Sequence, residues 1–329
     1  MFPEPHPAMK QSIGASASIP LASACIPAFN EERNIPRVLE FLTQQPHSLL
    51  DDIVVCMNGC TDNTGEVVSG FSDRDSRVRL IESQLGKPNA WNALVKEARN
   101  DSLLFLDADI QIKDEQCLDH LLARLHGSDS LIAVSGIPLP LSEPGRPRSV
   151  VEILLYPPFR HGLVGSVYAF KRPRLLERMR SLGYERMPRD LIREDLWLVT
   201  LLKKDEVSVE NRSVVYISVG ELDSYLRYVA RLDVGLLQVR EEYPEQFRQW
   251  LGEFRYSGRK IEAFLRRLKE VEGVLKKAKV LGQAAFVEVV KCLYRSRRKR
   301  LFDEICAQYR AEGGGVVLAD KGRITQSKV

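Results

Sequence analysis

Between residues 22 and 109, four short apolar runs alternate with segments of helical apolar spacing. The runs are "ASACIPAFN" (22–30), "DDIVVCMNG" (51–59), "RVRLIES" (77–83) and "SLLFLDAD" (102–109). Runs that are apolar on both faces belong in the interior of a parallel sheet, with helices as the crossovers. The pattern therefore predicts an α/β fold with a doubly wound, mostly parallel sheet. Pro27 is expected to end the first strand. The helix after it, 31–44, shows Ile35, Val38, Leu39 and Leu42 at helical spacing. Further helices are expected through Val67 and Val68, over 87–100, over 116–125 and over 191–204. Strand-like stretches follow at 130–140 and 162–172, with a hairpin or strand pair at 206–219. "PLPLSEPGRPRS" (138–149) reads as a loop. From about Glu221 the chain turns to long, charged, helical segments. The expected divisions are a disordered tail over 1–20, the α/β domain over 21–220, a helical region over 221–312 and a flexible tail over 313–329.

Composition narrows the class. The 329 residues are 44% hydrophobic and 28% charged, which is ordinary for a globular chain. A net charge of +4 is too mild to argue for nucleic acid, and no aromatic-interleaved basic motif supports such a role. No run of 18 apolar residues occurs, so no transmembrane helix is expected. Cys56 and Cys60 lack a partner pair at zinc spacing, and other cysteines lie inside apolar runs. A reducing, cytoplasmic setting is expected. The N-terminal stretch has prolines and an acid before Lys10 and only a weak apolar part, unlike a signal peptide.

The run "LLFLDAD" (103–109) carries the chemistry. An unpaired carboxylate in a low-dielectric interior costs several kcal/mol, so Asp107 and Asp109 belong where the strand emerges. In open α/β sheets ligands bind at that edge. Side chains two apart on a strand point the same way, so the two acids could share a divalent cation, or a cation and a sugar hydroxyl. The alternative is a strand end with two solvated acids.

The surrounding motifs favour the first reading. "IPAFNEERNI" (26–35), "IVVCMNGCTDNT" (53–64), "GKPNAWNAL" (86–94), "LLFLDAD", "VGSVYAFKR" (164–172) and "REDLWL" (193–198) follow one another in order. Together they resemble a non-processive family-2 glycosyltransferase of the GT-A fold, across about residues 22–220. The resemblance implies inverting transfer of one sugar from a nucleoside-diphosphate sugar to an acceptor hydroxyl, on a glycan, a lipid-linked or a small-molecule acceptor. Asp109, with Asp107, would hold Mg²⁺ or Mn²⁺, and Asp107 would also meet the ribose or sugar. Pro27, Phe29, Glu31, Asn58 and Lys87 would bind the donor. Asp195 would be the base that takes the acceptor proton, with Glu194 bonding the acceptor or orienting the loop. A helix start with favourable acids is the alternative for that pair. Asn58 stands where the family commonly has an Asp, which puts nucleobase preference in doubt. Asp62 is expected to brace its turn rather than touch ligand. His161 is a candidate third metal ligand, and Arg227 and Arg231 are candidates for meeting the diphosphate.

Two rivals remain at this level. A nucleotidyltransferase shares a similar core, but it typically has a Gly-rich, Arg-containing loop where this chain has "PAFNEERN". A non-catalytic sugar-nucleotide-binding module would not need Asp107, Asp109 and Asp195 together. The basic helical tail, with Arg295, Arg297, Arg298, Lys299 and Arg300, has three readings: a helical cap on the sheet, a homodimer or partner interface, or peripheral attachment at the inner face of an anionic membrane.

Overall fold

A computed structural model of the chain describes residues 19–44, 49–141, 163, 165–217, 222–253 and 296–307. Residues 1–18 of the expected N-terminal tail, the expected C-terminal tail, His161, Arg295 and most of the loop 138–149 fall outside the described residues.

The strands are β1 (Ala22–Ala28), β2 (Leu50–Asn58), β3 (Val78–Ser83), β4 (Ser102–Leu106), β5 (Ile110–Ile112), β6 (Ala133–Pro140), β7 (Val167–Lys171) and β8 (Val207–Ile217). The helices are α1 (Ile35–Gln44), α2 (Thr64–Ser72), α3 (Lys87–Glu97), α4 (Cys117–His126), α5 (Arg172–Ser181), α6 (Glu194–Thr200), α7 (Leu222–Glu242) and α8 (Pro244–Glu253). A last helical stretch runs over 296–307. The strands form one sheet in the order β3-β2-β1-β4-β7-β6-β8-β5. Pairings β3–β2, β2–β1, β1–β4 and β6–β8 are parallel, while β4–β7, β7–β6 and β8–β5 are antiparallel. The mixed α/β, mostly parallel sheet is the one expected from the alternation of runs.

The runs of β1, β2 and β4 are buried on both faces because successive strand residues point opposite ways, while β3 at the sheet edge is only partly buried. Leu104 and Leu106 of β4 join a core with α1, α2 and α4. Leu103 and Phe105 enter the opposite core, with Trp91 and Leu94 of α3 and Trp197 of α6. In that second core Phe105 stacks on Trp91 at 5.8 Å and on Tyr168 at 5.3 Å. Val239 of α7 and Phe247 of α8 belong to the same cluster, so the C-terminal helices pack directly on the sheet domain.

Three boundaries differ from expectation. β1 runs through Ala28, with Pro27 paired to Cys56 and Ala28 to Met57. Pairing with β4 has already ended at Cys25, so the missing N–H of Pro27 falls where only one ladder remains. Within the stretch 206–219, where a hairpin or strand pair was expected, Val207–Ile217 is one long strand. Its Asn211–Arg212 step looks like a turn but is a bulge, where the register with β6 shifts between Ser135 and Ile137. The helix expected over 191–204 is the short α6, Glu194–Thr200.

Candidate functional site

The cleft lies at the carboxyl ends of β1, β2 and β4. Its main chamber, about 320 Å³, is lined by Pro27, Phe29, Glu31, Asn58, Lys87, Asp107, Asp109 and Glu194, among others. A smaller chamber of about 120 Å³ shares Lys87, Asp107 and Glu194 with it and adds Gly165, Arg193, Asp195 and Tyr228. The structure thus brings together the catalytic, donor-binding and metal-binding candidates read from the sequence, but not Arg227, while His161 lies outside the described residues.

The β1 exit is fixed by a web to the turn after β2. Asn30 sits at φ 55°, a left-handed value that asparagine tolerates, and its Oδ1 accepts the Thr61 N–H at 2.8 Å. Asp62 accepts from Glu32 N at 3.1 Å and from Thr64 Oγ1 at 2.6 Å, so it braces the turn as expected. Phe29 is left 45% exposed beside the cleft. Glu31 accepts a bond from Asn34 Nδ2 at 2.8 Å. Burial, with the charges of Asp109 and Asp107, raises its carboxyl above the ordinary value despite that bond. Asn58 is buried and donates from Nδ2 to the Ala28 carbonyl at 2.9 Å, tying the ends of β1 and β2 together.

Lys87 joins the two acid sets. Gly86 adopts φ 114°, a conformation that suits glycine, and α3 starts at the next residue. The Lys87 ammonium lies 2.7 Å from Asp107 Oδ1 and 2.8 Å from Glu194 Oε1. Burial alone would lower its pKa, but the charges of Asp107 and Glu194 outweigh burial and hold the lysine well above its ordinary value. Asp107 moves up, through burial and the Asp109 charge, with Lys87 opposing. Its backbone N–H donates to the Ser166 carbonyl at 3.1 Å, anchoring the start of β7 beside the cleft. Asp109 is exposed.

Asp195 is gripped from its own loop. Arg193 Nη2 is 3.1 Å from Oδ2 and Nε is 3.3 Å from Oδ1. Burial would raise the Asp195 carboxyl, but the Arg193 charge and its hydrogen bonds more than offset this and lower it. Sequence reasoning passed over Arg193, although it directly precedes the acid pair. Arg231 lines both chambers, whereas Arg227 turns away to Glu304 at 3.3 Å. Gly165 faces Asp195, since a Cβ there would meet Asp195 Cβ at 3.5 Å.

The donor set fits a hard divalent cation held jointly with a ligand. Asp107 and Asp109 are oxygen donors, and Glu31 adds a third negative charge to the same chamber. Among the described residues no three His, Cys, Asp or Glu side chains gather into a closed metal cage. Mg²⁺ bound by one or two carboxylates ordinarily completes its shell with phosphate oxygens and water.

Comparison with known proteins bears on the family and the fold. Residues 23–178 match the family model described as Glycosyl transferase family 2. Glycosyltransferase AglD of Haloferax volcanii is 27% identical over 149 residues, covering 44% of this chain and 24% of the relative. Dolichyl-phosphate beta-glucosyltransferase ALG5D of Trichomonas vaginalis is 30% identical over 125 residues, 35% of this chain and 38% of the relative. The matched stretch thus spans about a quarter of the first curated relative and under two-fifths of the second. Among solved structures, the mannosyltransferase PcManGT from Pyrobaculum calidifontis, in complex with GDP-Man and Mn²⁺, aligns with a TM-score of 0.56 at 20% identity. It covers 90% of this chain and 87% of its own, so the shared fold extends beyond the matched segment.

Proposed function

We propose, from the premise that this chain belongs to glycosyl transferase family 2 through residues 23–178, that it transfers a single sugar from a nucleoside-diphosphate sugar to an acceptor hydroxyl, with inversion and with a divalent metal. The observation that carries this reading is Lys87, whose one ammonium bridges the strand-end acid Asp107 and the helix-start acid Glu194. Two acid sets far apart in the chain therefore face one cleft.

Phe29 offers a ring to the nucleobase, and Glu31 and Asn58 offer hydrogen-bonding groups to base or ribose. Lys87 places a permanent cation beside the departing diphosphate. Asp107 and Asp109 are the residues that would hold Mg²⁺ or Mn²⁺, which when bound supplies Lewis-acid stabilisation of the leaving group. Asp195, ionised at neutral pH, receives the acceptor proton as the hydroxyl oxygen bonds to the anomeric carbon and the bond to the diphosphate breaks. Glu194 is nearly buried and orients Lys87. Peripheral membrane contact has less support. Arg298 pairs with Asp233 at 3.4 Å and Arg300 with Glu304 at 3.3 Å, so part of the basic run is engaged within the molecule. Among the described residues no helix is long and apolar enough to cross a membrane.

The test incubates the full chain with Mn²⁺ and a panel of UDP-, GDP- and dTDP-sugars, with and without simple acceptors, and measures nucleoside diphosphate. Release by the wild type, lost in Asp109→Ala and lowered by about 10²–10⁴-fold in Asp195→Asn, is the expected result. Pyrophosphate as the product would instead mark a nucleotidyltransferase. A donor that raises the melting temperature without turnover would mark a binding module.

A further inference from the structure

Helix α7 lies outside the segment matched to the family model, yet it holds the residues that lead into the acid pair. Gln238, fully buried, accepts the Ile192 N–H on Oε1 at 2.9 Å and donates from Nε2 to the Asp190 carbonyl at 2.8 Å. One turn earlier, Gly235 makes room for Arg193. A Cβ at 235 would stand 2.5 Å from Arg193 Cγ and 3.0 Å from its Cβ and Cδ. These atoms belong to the base of the side chain, so a rotamer change at the guanidinium would not relieve the clash. The stem of Arg193 therefore lies flat on the α7 backbone, and its guanidinium meets both Asp195 oxygens.

We propose that Gly235 and Arg193 are positioning residues for the reaction: the glycine seats the arginine, and the arginine holds the Asp195 carboxylate in place and ionised at the smaller chamber. This rests on reading Asp195 as the base of a glycosyltransferase. The geometry suits the task. A planar guanidinium engaging both carboxylate oxygens fixes the orientation of the acid as well as its charge, which an ammonium does not do. The other charged and titratable groups around Asp195 are Glu194 beside it, Lys87 from α3, and Tyr228 and Arg231 from α7. Among the surrounding charges Arg193 lowers the carboxyl most, by its charge and by its two hydrogen bonds, so it is the group whose removal should move the ionisation most.

The test is the pH profile of kcat/KM for nucleoside diphosphate release, run on the full chain as wild type, Arg193→Gln, Arg193→Lys and Gly235→Ala. The acid limb reports ionisation of the base in the free enzyme. Without the arginine charge the buried carboxyl holds its proton more tightly, so in Arg193→Gln the limb moves to higher pH by about one unit or more. Arg193→Lys keeps the charge without the fork and moves it less. Gly235→Ala displaces the arginine and moves the limb the same way, lowering kcat while leaving the donor KM near wild type. If Arg193→Gln does not fold, the lysine and alanine variants carry the test. Variants that melt lower but keep the wild-type limb overturn the inference alone, since a merely structural arginine would behave so. A wild-type chain that releases no nucleoside diphosphate from any donor overturns both this inference and the transferase reading.

Discussion

Asp52 is fully buried, yet its oxygens are occupied. They accept from Ser23 Oγ at 2.7 Å, Arg79 Nε at 2.8 Å and the Arg99 N–H at 2.9 Å. Burial would raise this carboxyl, but those bonds more than offset it and lower it. The acid sits at the amino-terminal end of the sheet, away from the cleft, and joins β2, β3 and the end of α3. Lys87 differs, because its side chain keeps 36% of its exposure and points into the cleft between two acids. The first arrangement holds the fold, and the second is open to a ligand. Asp52→Asn should lower stability by about 3 kcal/mol, because Arg79 is left beside a neutral group. Since the folded carboxyl titrates below its unfolded value of about 3.9, its contribution is complete above that pH and disappears as pH falls through the folded value. Urea midpoints measured from pH 7 down to pH 3 should fall in the wild type and fall less in Asp52→Asn.

At the scale of elements, the bulge between β6 and β8 shows where pattern reading stops. Val207–Ile217 reads as two strands because Asn211 and Arg212 have turn character, and the Arg212 N–H does fold back to Glu210 Oε1 at 3.0 Å. The chain nevertheless resumes in the same direction, since Val214–Ile217 pairs with β6 and its last three residues also pair with β5. Gly136 permits this. A Cβ there would lie 2.5 Å from the Ser213 carbonyl oxygen and 2.7 Å from Val167 Cγ1. Gly136→Ala should destabilise the protein by about 1–3 kcal/mol through overpacking at a backbone oxygen that has no room to retreat. Thermal or denaturant unfolding would show it, and an unchanged midpoint would mean that β6 and β8 part easily here. The other elements were legible. The α1 stripe of Ile35, Val38, Leu39 and Leu42 is the buried face observed. Strands appeared where the four apolar runs predicted them, and β1, β2 and β4 are buried on both faces, whereas β3 at the sheet edge is only partly buried.

For the molecule as a whole, the C-terminal helices complete the core. Trp197 of α6 meets Tyr243 at 6.1 Å, and Val239 and Phe247 are buried in the cluster around it. Leu226, Ala230 and Val234 of α7 cover Ile192 with Leu301, Ile305 and Cys306. A chain ending after Ile217 would expose both apolar surfaces beside the acid pair. It should lose the cooperative melting transition of the full chain and aggregate, as read by calorimetry and light scattering. A truncated chain that melts cooperatively would show that the helical region is an independent appendage.

What the sequence determined by itself is the alternation of strand and helix, the family resemblance and the identity of the acids. All of these follow from local pattern: residue type, period and order along the chain. Only the tertiary structure decided that Lys87 would span Asp107 and Glu194, that Asn58 would spend its amide on Ala28, and that a glycine on a distant helix would make room for the arginine that holds Asp195. Those contacts join residues from 20 to more than 100 positions apart in the chain. They exist because a sheet brings its strand ends to one edge, and neither hydrophobic period nor composition carries information about which distant side chains will meet there.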